Sequence, residues 1–356
     1  TQKKINMKQK RLTFLLLLIS NLFCASAQKW YKPEIDLKVE ELLSQMTVEE
    51  KLGYIGGIDW MYTKSIDRLG IHRMRMSDGP QGIGTKGKST AYPATVTLAA
   101  TWNENLAYQY GKALGRDCRA RNINVILGPA VNIYRAPMCG RNFEYMGEDP
   151  YLTSRICVGY IKGVQDQGVM ATVKHFVANN SDYDRNNISN DIDERTLNEI
   201  YFPAYKAAIQ EAEVGAIMTS YNLMNGIYTT ENPWLLKEVL RNQWGFKGLV
   251  MSDWGSTHYC VPAARSGLDL EMAGGEKMNP KDMAYYLKTG DVTMDMVDEK
   301  VRHILRILIA FGFKDGTEAD KSIALDDPQS VETALNVARE GLVLLKNENN
   351  ILPVSY

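Results

Sequence analysis

Short apolar runs rich in β-branched residues recur along this chain, each ending on polar residues before an amphipathic stretch begins. The clearest are INVIL at 123–127, MATVKHF at 170–176, VGAIMTSY at 214–221, GLVMSD at 248–253 and LDLEM at 268–272. A weaker one is MRMSD at 74–78. Runs of this length read as buried strands, and the stretches between them read as helices. Residues 34–55 predict helix, with Leu37, Leu42, Leu43 and Met46 on one stripe. Thr47-Val48-Glu49-Glu50 fits a capping box. Asp149-Pro150 and Asn232-Pro233 each place an N-cap before a proline at N1. Asp193 can cap the helix beginning Glu194-Arg195-Thr196-Leu197, and Pro203 should kink or divide that helix.

Strands alternating with helices imply a parallel sheet. The length of the pattern suits an α/β fold of the (β/α)8, TIM-type barrel kind better than a small doubly wound sheet. Chemistry in such a barrel sits at the C-terminal ends of the strands. That expectation gathers Asp78, Lys174 with His175, Tyr221, and Asp253 with Trp254 at one mouth. Residues 326–345 then read as a helix opened near Asp327-Pro328, followed by a buried strand and turn in GLVLLKNENNILPV. One strand is not a finished domain. The expected layout is therefore a barrel over 28–325 and the truncated start of a second domain over 326–356.

Composition changes little in this picture. The chain has 356 residues, 45% hydrophobic and 23% charged, which is an ordinary globular profile. Its net charge of -1 gives no sign of a nucleic-acid partner. Met7 precedes Lys8, Lys10 and Arg11, an apolar run from Leu12, and Ala25-Ser26-Ala27 before Gln28. This pattern predicts a secretory signal within residues 1–27, and an exported, periplasmic or extracellular protein. The run is short for a membrane span. A lipoprotein cleavage at Cys24 is disfavoured by Phe23, where a small residue is needed. Cys118, Cys139, Cys157 and Cys260 are widely spaced with no C-x-x-C pair, and His72, His175, His258 and His303 show no H-x-x-x-H spacing. No metal or cofactor is expected. Gly82-Ile83-Gly84 reads as a loop rather than as a nucleotide-binding fingerprint.

Each candidate residue has a plainer alternative. Asp253 ends an apolar run and is followed by Trp254. It can be a carboxylate facing a sugar-sized pocket, or the N-cap of a helix beginning near Ser256. Lys174 and His175 can donate to vicinal hydroxyls, or be a surface lysine and a core histidine. Arg141, in GRNFEYMGEDP, can clamp hydroxyls with its planar fork, or pair structurally with Glu144 or Glu148. Asp78, in SDGP, can accept from hydroxyls or start a turn. Tyr221 is a hydroxyl handle or core, and Trp254 a stacking face or packing at the barrel mouth.

At these residues the chain resembles glycoside hydrolase family 3, on its β-glucosidase side. The resemblance runs through SDGPQG at 77–82, GRNFEYMGEDPYL at 140–152, ATVKHFVANN at 171–180 and DERTLNEIYFPAY at 193–205. It continues through MTSYNLMNG at 218–226, GLVMSDWGS at 248–256 and GLVLLKNENNILP at 341–353, the last similar to the start of that family's α/β sandwich domain. The resemblance implies a retaining exo-acting β-glycosidase with Asp253 as nucleophile. It also implies sugar contacts from Asp78, Arg141, Lys174, His175, Tyr221 and Trp254. The implied partners are a β-linked oligosaccharide or glucoside and the protein's own C-terminal domain.

The acid/base is a different matter. In the family's β-glucosidases it is typically a glutamate of the second domain, beyond this sequence. A subgroup acting on N-acetylglucosamine uses an Asp-His pair after KHF, but the corresponding VANNSDYDR here has no histidine. Asp182 and Asp184 are nearby carboxylates without a case for the role. Hydrolysis of terminal β-D-glucosyl residues is the leading expectation. A β-xylosidase, a sugar-binding fragment without catalysis and a metal-dependent barrel hydrolase are the alternatives.

Overall fold

The computed structural model describes residues 30–84 and 88–354. The expected signal sequence lies outside the described residues. Five strands, Met76–Asp78, Val125–Leu127, Met170–Phe176, Ala216–Thr219 and Leu249–Met251, pair in chain order and entirely in parallel. Their residues are buried except for Asp78 at a strand end. Burial on both faces explains why these runs are apolar throughout rather than alternating.

The circuit closes through single bridges. Met251 pairs in parallel with Leu270, and Glu271 in parallel with Gly56. Ile58 then pairs antiparallel with Tyr62, and Tyr62 antiparallel with Arg75, beside the first strand. The barrel thus has its five parallel strands and three bridge-built staves, one of which runs backwards. A (β/α)8, TIM-type barrel was expected, and the reversed stave is a departure within that kind of fold. A tight hairpin over 58–62 supplies the reversed stave, because antiparallel neighbours need only a short turn where a parallel pair needs a crossover.

The run LDLEM forms bridges rather than a regular strand, and its two acids explain why. The buried Asp269 carboxylate accepts from Val250 N at 2.8 Å and Arg241 at 2.6 Å, and meets His303 Nδ1 at 2.7 Å. Buried Glu271 accepts from the backbone N–H groups of Lys277 and Met278. Side chains here take over bonds that a ladder would otherwise make.

The helices follow their caps. Thr47 and Glu50 form the reciprocal capping box. Asp149, Asp193 and Asp327 each accept from the first turn of their helices, and Asn232 accepts from Leu235 N. The segment before Pro203 is a π-helical turn, Leu197–Tyr201, and a new helix, Pro203–Gln210, starts at the proline. The predicted 34–55 helix is two helices, Pro33–Gln45 and Val48–Tyr54. Leu37 is not on its buried stripe: it is 74% exposed, while Val39, Leu43 and Met46 face the core. Helices Glu104–Arg119 and Pro150–Gln165 touch backbone to backbone. A Cβ at Gly163 would lie 2.1 Å from Tyr108 O.

The tail differs from expectation. Helix Pro328–Glu340 is present, but residues 342–345 form no strand and are exposed, Leu345 at 90%. A strand needs a partner edge, and none among the described residues reaches this segment.

Candidate active site

Asp78 ends its strand, Lys174 and His175 lie near the end of Met170–Phe176, and Tyr221 and Asp253 each follow a strand by two residues. Successive strand residues normally face opposite sides. The ladder between Met170–Phe176 and Ala216–Thr219 slips between Val173 and Phe176. Lys174 and His175 consequently both reach the mouth, Lys174 to Asp78 and His175 to Arg141 and Asp253. Arg141 comes from the long loop after Val125–Leu127 and precedes the 3-10 turn Asn142–Glu144.

Asp253 does not cap a helix. The next helix is Cys260–Ser266, with Tyr259 at its N-cap position. Asp253 is buried, and its Oδ1 accepts from Trp254 N at 2.7 Å. Its Oδ2 has no hydrogen-bond partner. Around that bare oxygen stand His175 Nε2 at 3.5 Å and Arg141 Nη1 at 4.0 Å. Burial raises the Asp253 carboxyl above its usual range, and the Lys174 and Arg141 cations oppose that rise. Burial, then the Asp253 charge and the side-chain contact with that carboxylate, push the Tyr221 phenol up.

The other charges pair off. Lys174 Nζ donates to Asp78 Oδ1 at 3.1 Å, and the lysine is buried while the Asp78 side chain is 61% exposed. Partial burial raises the Asp78 carboxyl, but Lys174 and the Gly79 N–H outweigh it and hold it below its usual range. Arg141 donates through Nε to Glu144 Oε1 and through Nη2 to His175 Nε2. Arg141 thus pairs with Glu144, as its plainer alternative has it, and also stands beside His175 and Asp253.

His175 is fully buried, and burial, then Arg141 and Lys174, drive its pKa well down. It is neutral. A guanidinium can only donate, so Nε2 is the accepting nitrogen and Nδ1 carries the hydrogen. That N–H faces Asn132 Oδ1 at 3.3 Å, and Asn132 also accepts from His175 N and donates to His175 O. Asn132 was not singled out from the sequence; its position just past the strand Val125–Leu127 is the signal that could have found it. Two further residues were missed. Trp254 Nε1 donates to Trp60 O at 2.8 Å. Arg185 lies 4.0 Å over the Tyr221 ring and pairs with Asp182 at 2.9 Å. Among the described residues no group of His, Cys, Asp or Glu side chains is placed to hold a metal, and no helix is long and apolar enough to cross a membrane.

Residues 47–307 match the family model described as the glycosyl hydrolase family 3 N terminal domain. The chain belongs to that family. Curated relatives include a beta-glucosidase of Rhizobium radiobacter, 42% identical over 323 residues that cover 89% of this chain and 39% of the relative. The thermostable beta-glucosidase B of Acetivibrio thermocellus is 39% identical over 328 residues, 89% of this chain and 43% of its own. Among solved structures, beta-glucosidase 3B from Thermotoga neapolitana in complex with alpha-D-glucose superposes with a TM-score of 0.82 at 36% identity. It covers 89% of this chain and 48% of that one. A beta-glucosidase from Streptomyces venezuelae in complex with D-glucose gives 0.83 at 36%, over 92% and 44%. The family 3 chain described here thus spans less than half the length of these relatives.

Proposed function

We propose that this chain is the nucleophile-bearing barrel of a retaining, exo-acting β-glucosidase that cleaves terminal non-reducing β-D-glucosyl residues. The observation that carries this reading is the Oδ2 of Asp253, a buried carboxylate oxygen that meets no hydrogen-bond partner at the mouth of a barrel. In the reaction Oδ2 attacks carbon 1 of the glucoside, and the glycosidic C–O bond breaks as the leaving oxygen takes a proton. Water then cleaves the glucosyl–aspartate ester with inversion, for net retention. Asp78, Lys174, Arg141, His175, Tyr221 and Trp254 surround the sugar ring in this reading. Retention requires a second carboxyl about 5–5.5 Å from the first. Asp78 and Glu144 are engaged by Lys174 and Arg141. We therefore assign the acid/base to the part of the protein that the longer relatives possess beyond this chain.

The test is a 2-deoxy-2-fluoro-β-D-glucoside with an activated leaving group, followed by peptide mass spectrometry. Such a substrate needs little acid catalysis, so the ester accumulates. A fluoroglucosyl adduct on the peptide carrying Asp253 is the expected result; an adduct on another residue overturns the assignment. Export is part of the same proposal. It rests on the pattern at residues 7–28 and predicts a mature N-terminus at Gln28, readable by terminal sequencing.

A further inference from the structure

Away from the mouth, Asp117 in helix Glu104–Arg119 is a fully buried carboxylate with no ion pair among the described residues. It is held by two hydroxyls. Tyr92 donates to Oδ2 at 2.8 Å and Ser330 to Oδ1 at 3.0 Å. Burying a carboxylate against neutral donors is costly, and an apolar residue would fill the same space more cheaply. The elements it joins give it a use.

Tyr92 lies on the outer limb of the loop that carries Asp78. Its backbone N–H donates to Gln81 O at 3.0 Å. Its ring leans on Tyr110, with centroids 4.8 Å apart, and Tyr110 leans on Tyr160 at 5.5 Å. The hydroxyls of Tyr110 and Tyr160 both donate to Pro80 O, at 3.1 and 3.2 Å. Pro80 is two residues past Asp78, and Gly84 N closes the loop onto Asp78 O at 2.8 Å. Among the described residues the Asp78 side chain itself bonds Lys174 and the N–H of Gly79 alone. Its aim is thus set by the loop backbone, and the phenol stack anchors that backbone. Ser330, at the far end of the chain of contacts, sits in helix Pro328–Glu340, beyond the residues matched to the family.

We propose that Asp117 and Ser330 are positioning residues for the sugar site. Through Tyr92 and the two phenols on Pro80, they fix the loop that aims Asp78 at Lys174. Helix Pro328–Glu340 thereby contributes to sugar affinity without touching sugar. The sugar in this statement rests on the glucosidase reading; the Asp78–Lys174 geometry does not.

The experiment compares Tyr92→Phe, Ser330→Ala and Ser330→Thr with wild type in the intact protein. Turnover of 4-nitrophenyl β-D-glucoside, melting temperature and a crystal structure of Tyr92→Phe are measured. Tyr92→Phe and Ser330→Ala should raise KM roughly tenfold with kcat within about twofold, because misplacement weakens the grip on a hydroxyl rather than the attack. Ser330→Thr, which keeps the hydroxyl, should restore KM. In the crystal the 3.1 Å Lys174–Asp78 contact should be open. A lowered melting temperature with unchanged KM overturns the proposal and makes the network structural alone. If wild type turns over no glucoside, the functional reading fails instead. The crystal then decides: an intact Lys174–Asp78 contact in Tyr92→Phe overturns the positioning role.

Discussion

Arg141 is bonded to Glu144 and also stands 4.0 Å from the bare oxygen of Asp253, so its two roles must be separated by experiment. Arg141→Met alone is a poor probe. It leaves the Glu144 carboxylate, whose side chain is 6% exposed, without its cation. Breaking such a buried pair costs about 3–5 kcal/mol. That is a large part of the roughly 5–15 kcal/mol that holds a domain folded. The double variant Arg141→Met/Glu144→Leu removes both charges, and apolar replacement of a whole buried pair is close to neutral for stability. Its effect on the site can be worked from the distance. A unit charge at 4 Å in an effective dielectric of about 20 contributes about 4 kcal/mol toward ionised Asp253. Removing the opposite charge of Glu144 returns part of this, leaving about 2 kcal/mol, or roughly thirtyfold. The sign follows from the direction at Asp253. Burial already raises its pKa and Arg141 opposes that, so losing Arg141 raises it further. At acid pH Asp253, the proposed nucleophile, is protonated in the variant where it is ionised in the wild type. The assay is kcat/KM for 4-nitrophenyl β-D-glucoside across pH, beside a urea melt. The double variant should melt near wild type and lose about thirtyfold on the acid side, recovering as pH rises. Activity within about threefold of wild type, with an unmoved acid limb, would make Arg141 a structural partner of Glu144 only.

The same reasoning gives three shorter predictions. Asp253→Ala removes the attacking oxygen and should cost several orders of magnitude in kcat while leaving glucose binding measurable by calorimetry; near-normal turnover refutes the nucleophile. Lys174→Ala should raise KM and move the acid limb of kcat/KM upward, since Lys174 is the first of the influences opposing burial at Asp253; a pH profile identical to wild type would argue against it. Asp269→Asn leaves buried Arg241 uncompensated and should destabilise by about 3–5 kcal/mol in urea at pH 7. Burial raises the Asp269 carboxyl, but His303 and Arg241 more than reverse this, so its folded pKa is depressed. Its stabilisation is therefore present above the unfolded value of about 4 and lost as pH falls through the folded one, and the wild-type advantage should vanish in acid.

Different parts of this molecule were legible in the sequence to different degrees, for physical reasons. Strands buried on both faces read plainly, because nothing polar interrupts 125–127 or 216–218. Helix starts read plainly too, since a cap and its proline are neighbours in the chain. The reversed stave did not, because the pairings of Tyr62 with Ile58 and Arg75 are single bridges with no run of residues to mark them. Leu37 misled because a short amphipathic helix offers several stripes that satisfy the same spacing, and only packing chooses one. In the site, Asp253 stood out as a charge ending an apolar run. Asn132 and Arg185 did not, because each acts on another side chain, His175 or Tyr221, and such a partnership leaves no periodic trace.

The charge balance of the site bears on the chemistry more than any single contact. His175 is neutral. Lys174 is matched by Asp78, and Arg141 by Glu144. Those pairs cancel, and what remains is the single negative charge of Asp253, desolvated and with one oxygen bare. Glycoside cleavage passes through an oxocarbenium-like state whose positive charge appears at the ring beside the attacking oxygen. On the proposed function, a site left with one fixed negative charge, in a buried setting where electrostatics act strongly, is matched to that state rather than to the neutral sugar. The same balance explains why the two cations are paired rather than free. An unpaired lysine or arginine beside carbon 1 would hold Asp253 ionised but would also oppose the developing charge. On the proposed reading, with Asp78 and Glu144 in place, the cations can keep Asp253 ionised and grip hydroxyls at little cost to the transition state. Neutralising Asp78, unlike shifting it, removes the balancing charge altogether and should slow the chemical step as well as weaken binding.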